Sequence, residues 1–169
     1  MRKIVFLTFL CFLNIPSIFA QNQDPWVGDW TSETYTYIDE NVIESEYRLI
    51  IRITKNGDSY SVRGKTIKVG DSEYIRYFPR LTVTRIESNT MWLQASESQR
   101  PFVSNGEIDT YSDVTWYYTL TLENGALHYV HYRTHSVRYD RYMRYKNEEE
   151  WDPSTWKDGH NLMLYNDNW

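Results

Sequence analysis

Apolar and polar residues alternate along most of this chain with a period of two. Tyr47, Leu49, Ile51 and Ile53 share one side of an extended stretch, Arg48 and Arg52 share the other, and Ile50 is the exception. Further on, Val114, Trp116, Tyr118, Leu120 and Leu122 oppose Asp113, Thr115, Tyr117, Thr119 and Thr121. Successive side chains of a strand point to opposite faces, so this pattern predicts strands with one buried and one wetted side. Eight are expected, over roughly 28–38, 45–55, 58–69, 73–87, 90–98, 112–123, 126–134 and 136–146. Asn-Gly dipeptides at Asn56-Gly57, Asn105-Gly106 and Asn124-Gly125 mark turns, because both residues tolerate the positive φ of a tight hairpin. Pro79 has no N–H to give a central ladder, so a bend or bulge is expected in the long fourth strand.

Eight antiparallel strands joined by short turns favour an all-β fold, an eight-stranded antiparallel up-and-down barrel, because closure removes exposed sheet edges. A β-sandwich is the alternative. Beyond residue 146 the alternation stops and the chain reads NEEEWDPSTWKDGHNLMLYNDNW. Asp152 as a cap, Pro153 in the first turn and Gly159 just past the end predict a short C-terminal helix. NLMLY then suits a brief strand, and Trp151, Trp156 and Met163 suit docking residues. A partly ordered acidic tail is the plainer reading. The expected division is residues 1–20 as signal peptide, 21–146 as the β-barrel domain and 147–169 as a helix or tail packing on it.

The chain begins with Arg2 and Lys3, an apolar run from Ile4 to Leu13, and a small residue at Ala20. That order predicts a cleaved secretory signal peptide and export to the periplasm or the extracellular space. The apolar run falls short of the roughly 20 residues that span a bilayer, so no membrane insertion is expected after cleavage. Leu10, where a small residue would be wanted, argues against lipid attachment at Cys11. Cleavage would remove the one cysteine, leaving a core without disulfides to hold the fold. Basic residues would fall from 18 to 16 against 23 acidic ones, a charge of −7, which points away from nucleic acid. All 15 Tyr and all seven Trp lie after residue 20. Such residues pair an apolar face with a polar edge and suit cavity walls or sugar platforms.

Gly28-Asp29-Trp30, at the start of the first expected strand, resembles the Gly-x-Trp motif of the calycin superfamily, and lipocalin-like proteins in particular. The resemblance implies that Trp30 closes one end of the barrel, packed against an arginine of the last strand. Arg141 is the preferred partner and Arg144 the other choice. The likeness covers the strand order of nearly the whole mature chain, but the disulfide common in secreted animal lipocalins cannot form. Where the fatty-acid-binding branch has Arg-x-Tyr, this chain has Arg138, Asp140, Tyr142 and Arg144 at alternate positions, so fatty-acid binding gains no support.

A barrel of eight strands is either filled by its own side chains or holds one small ligand. With Trp30 at the closed end, Tyr35, Tyr37, Ile38 and Tyr47 fall at the mouth, and Trp116 and Tyr118 are expected on the wall with Leu49 and Ile51. Ordinary strand packing is the competing role for each. Arg76, Arg80, Arg133, Arg138, Arg141 and Arg144 lie on expected strands; most would project outward, and one facing inward would meet an anionic group. No Gly-x-Ser-x-Gly, His-Glu-x-x-His, phosphate loop or mature cysteine nucleophile is present, and no catalytic residue or cofactor is expected. His128 and His131 fall on opposite faces of a strand, and only His131 and His135 could share one, so no metal is expected. Glu44, Glu46, Asp109 and Asp113 read as solvated loop charges rather than a glycosidase pair. The expectation is thus an exported lipocalin-like protein binding a small apolar or amphipathic, in some cases anionic, molecule. A surface module recognising glycan or protein through exposed Tyr and Trp is the alternative, and a calycin-fold enzyme the third.

Overall fold

A computed structural model describes residues 24–38, 44–104, 106–155 and 159–166; the expected signal peptide, Asn105 and Trp156 lie outside them. Eleven strands form one antiparallel sheet: β1 (Gly28–Ser32), β2 (Tyr35–Ile38), β3 (Glu44–Asn56), β4 (Ser59–Lys68), β5 (Asp71–Tyr77), β6 (Thr82–Glu87), β7 (Thr90–Ser104), β8 (Glu107–Glu123), β9 (Ala126–Asp140), β10 (Tyr145–Trp151) and β11 (Asn161–Asn166). The order across the sheet is β5-β4-β3-β1-β11-β9-β8-β7-β6, with β2 added to β3 and β10 to β9. It is a meander except where β11 enters between β1 and β9, bringing Trp30 opposite Asn166.

Turn chemistry sets the meander. Asn124 and Gly125 have φ of 51° and 81°, and Gly57 has φ of 58°, the positive angles that tight hairpin turns demand. Inward positions follow the alternation: Leu49, Ile51, Ile53, Leu120 and Leu127 are sealed in one apolar cluster with Trp26, Trp30, Val62, Met91, Leu93 and Leu164. Arg48 and Arg52 face water. Burying each such aliphatic side chain contributes about 1.5–3 kcal/mol.

The sheet departs from the expected barrel in four ways. It is not closed. β4 and the segment before β6 meet at a single bridge, Val62 opposite Leu81, not along a ladder. The cause lies at Pro79: the expected fourth strand divides into β5 and β6, separated by Phe78–Leu81. β4 spends Lys65–Lys68 on β5, accepts one further hydrogen bond at the Gly64 carbonyl from the Phe78 amide at 2.9 Å, and then forms only the bridge to Leu81.

Next, the seventh and eighth expected strands fuse into β9. A bulge at Tyr132 shifts the pairing, so that Tyr117 faces Arg133 while Tyr118 faces His131. The acidic stretch read as tail forms β10 on β9, because its carboxylates complement that strand: Glu150 takes Arg133 at 2.8 Å and Glu148 takes His135 at 2.5 Å. Cross-strand opposite charges favour such pairing.

Finally, no α-helix occurs among the described residues. Asp152 does accept the Ser154 amide at 2.9 Å, but only one 3-10 turn follows, Pro153–Thr155. NLMLY is the strand β11, central in the sheet rather than packed upon it. Met163 on it is half exposed.

Candidate functional site

Along the strands the inward residues change character. On β3, Ile53, Ile51 and Leu49 give way to Tyr47 and Ser45; on β8, Leu122 and Leu120 give way to Tyr118 and Trp116; on β9, Leu127 gives way to Tyr129 and His131. Tyr47 lies four residues along β3 from Ile51, the register partner of Trp30, which is roughly 13 Å of strand. Beyond this change an open cavity of about 1090 Å³ begins.

Its floor is a run of rings. Tyr118 stacks between Phe78 at 6.3 Å and Tyr129 at 5.6 Å, and touches the His131 ring at 4.8 Å. Phe78 reaches this place because position 64 is glycine: a Cβ there would stand 2.8 Å from the phenyl ring. One wall continues through Tyr35, Tyr47 and Tyr74, with centroids 6.1 and 5.7 Å apart. Gly159, at φ 65°, leaves room for Tyr35.

Tyr118 and Tyr129 are 6% and 3% exposed. Among the described residues neither hydroxyl has a hydrogen-bond partner. Nor are they among the sealed, unpartnered polar atoms, which are Trp92 Nε1, Ser112 Oγ and Arg138 Nε; both hydroxyls therefore open onto the cavity that their residues line. Burial raises the pKa of both phenols. They stay protonated and remain donors.

His131 sits beside them. Its Nδ1 shares a hydrogen bond with His160 Nδ1 at 3.0 Å, and its Nε2 one with Thr134 Oγ1 at 2.7 Å. Burial, and then the neighbouring His160, lower its pKa to about 4. The ring is neutral at ordinary pH. His128 instead bonds Asn161 at 2.6 Å, and the Tyr132 bulge turns His135 outward to Glu148.

The residues expected at the site divide into two groups. Tyr35, Tyr47, Trp116 and Tyr118 all line the cavity; Tyr37 is placed by its backbone, opposite Ser45. Leu49 and Ile51 do not line it. They are 1% and 0% exposed within the filled core, too far down β3 to reach the open end. Arg141 is also elsewhere, stacked over Tyr142 at 4.8 Å beyond the end of β9. Trp30 is buried at the filled end as its apolar ring requires, but its partner is not an arginine: the indole N–H donates to the Trp26 carbonyl at 3.0 Å. Arg144 pairs instead with Asp140 at 2.7 Å, and Arg133 faces outward.

Phe78, Tyr129 and His160 also line the cavity and were not singled out for it, and of the six arginines considered for an inward position it is Arg76 that lines it. Tyr129 had a signal, the alternation Leu127, Tyr129, His131. Arg76 had one too, two residues from both Tyr74 and Phe78 and so on their face of the strand.

Fold and cavity together define an all-β protein of one antiparallel sheet, packed with aliphatic residues at one end and opened by aromatic residues at the other. No family model, curated protein or solved structure matches this chain.

Proposed function

We propose that this is an exported, lipocalin-like binding protein that holds one small apolar or amphipathic molecule in the aromatic cavity. The observation that carries the reading is the pair of buried hydroxyls, Tyr118 and Tyr129, opening unpartnered onto the cavity. Opening onto the cavity without a protein partner, each hydroxyl is available to donate to a ligand acceptor reaching the floor, or to water in its absence. The stacked rings around it suit a flat or apolar body. The lipocalin-like part of the reading draws on the meander, on Trp30 sealed at the filled end, and on the bridge between the sheet's flanks.

The test compares native and denaturing mass spectra of gently purified protein, and titrates it with N-phenyl-1-naphthylamine, a neutral ring probe. We expect a reproducible extra mass lost on denaturation, and saturable probe fluorescence that Trp116→Ala weakens at least about fivefold. A clean mass together with no saturable probe binding would overturn the reading and favour recognition through the outer surface.

A further inference from the structure

The mouth of the cavity is charged against the rest of the chain. The whole sequence has 18 basic and 23 acidic residues. Yet the cavity is lined by Lys68, Arg76 and Arg100, with Glu97 the single carboxylate among its described residues. Elsewhere Arg52 is matched by Asp29 at 2.6 Å, Lys55 by Asp24 at 2.7 Å, Arg133 by Glu150 and Arg144 by Asp140. No ion pair among the described residues engages Lys68, Arg76 or Arg100.

Arg76 is placed by register. It stands opposite Thr66 on β4, and Thr66, Tyr74 and Phe78 line the same cavity. Tyr35 and Tyr118 line that cavity too, so Arg76 stands at the aromatic wall.

We propose that the ligand is an anion carrying a flat ring: the ring lies among Tyr118, Phe78 and Tyr35, and its carboxylate or sulfonate is met at the mouth by Arg76, with Lys68 and Arg100 beside it. This rests on the reading of the cavity as a ligand site. A guanidinium presents a rigid fork of donors that matches a carboxylate. Lys68, Arg76 and Arg100 line one open cavity with a single carboxylate among its described lining residues, so an anion entering it meets an excess of positive charge. The neutral phenols and neutral His131 at the floor add no charge, so the anionic group belongs at the mouth and the neutral end below.

Two probes that differ by one group test this: N-phenyl-1-naphthylamine and its 8-sulfonate, 1-anilinonaphthalene-8-sulfonate. We expect the sulfonate to bind at least about tenfold more tightly at low salt, and 0.5 M salt to erase most of that advantage, since exposed charges are then screened. Arg76→Gln should weaken the sulfonate about fivefold or more and leave the neutral probe unchanged. Arg48→Gln, on the outer face, should change neither.

If neither probe binds saturably, the cavity reading itself fails and the anion with it. If both bind alike and Arg76→Gln affects neither, the cavity reading stands and the anion is overturned. Equal losses in Arg76→Gln and Arg48→Gln would place the sulfonate on general surface charge and overturn it as well.

Discussion

The two ends of the molecule are built from the same strands and the same inward phase, yet they do opposite things. At the end holding Trp26 and Trp30, inward positions are Leu, Ile, Val and Met, most of them sealed to 6% exposure or less. At the other end the same phase carries Tyr, Trp, Phe and His around open space. Aliphatic side chains interdigitate and leave no void. Long rigid rings with a polar tip hold walls apart while keeping the tip wet. The alternation determines which face a residue takes, and the residue type determines whether that face closes.

Truncation at the filled end should break this contrast most strongly. Ile51→Ala leaves a hole where neighbours are close-packed, and should cost about 2–5 kcal/mol. Tyr47→Ala, two turns of the pleat away at the cavity wall, should cost less than about half as much, because solvent already reaches that space. Urea denaturation of the two variants checks both. Comparable losses would mean that the cavity end is as tightly packed as the core.

Gly64 sits at the waist between the two ends. In Gly64→Ala the new Cβ would stand 2.8 Å from the Phe78 ring, and overpacking of this kind costs about 1–3 kcal/mol. Since Phe78 caps the ring stack, neutral-probe affinity should fall together with stability. A variant with lost stability but intact probe binding would separate Phe78 from the site.

The difference between the ends also fixes how legible each was in the sequence. The filled face of β3 and β8 could be read directly, because period-two alternation reports burial and little else. Tyr35, Tyr47, Trp116 and Tyr118 could be placed near the cavity as aromatics at the same phase, further along the strands. The rest depends on contacts between distant segments. His131 and His160 are 29 residues apart, and the bulge at Tyr132 reverses the phase after His131, which no alternation reports. The acidic run of β10 looked like tail because its partners, Arg133 and His135, lie on another strand.

Acid should act through the cavity end. The His131 pKa of about 4 lies below its ordinary 6.5, so the unfolded chain binds the proton more readily than the folded one. Stability should therefore be full above pH 6.5 and decline as pH falls toward 4, by about 2.5 kcal/mol at pH 4.5. Groups facing this ring are His160, Tyr118 and Thr134, with the charge of Asp152 opposing the shift. Melting temperatures across this window should be flatter in His131→Gln. An equally steep decline in that variant would assign the proton uptake to another group.

The smallest expected effect is the most specific to the contrast. In a sealed core, Tyr→Phe normally costs stability because the hydroxyl has a partner there. The Tyr118 hydroxyl has no protein partner among the described residues and opens onto the cavity, so Tyr118→Phe should leave the urea midpoint within about 0.5 kcal/mol of the parent. The phenyl ring still stacks on Phe78 and Tyr129, so the binding of the neutral ring probe should hold too. What should change is the copurifying molecule: if its acceptor rests on the Tyr118 hydroxyl, the extra mass should survive less well on dilution in the variant. Destabilisation well above 0.5 kcal/mol with no change in the retained mass would make the hydroxyl a structural group, and the cavity floor an extension of the core.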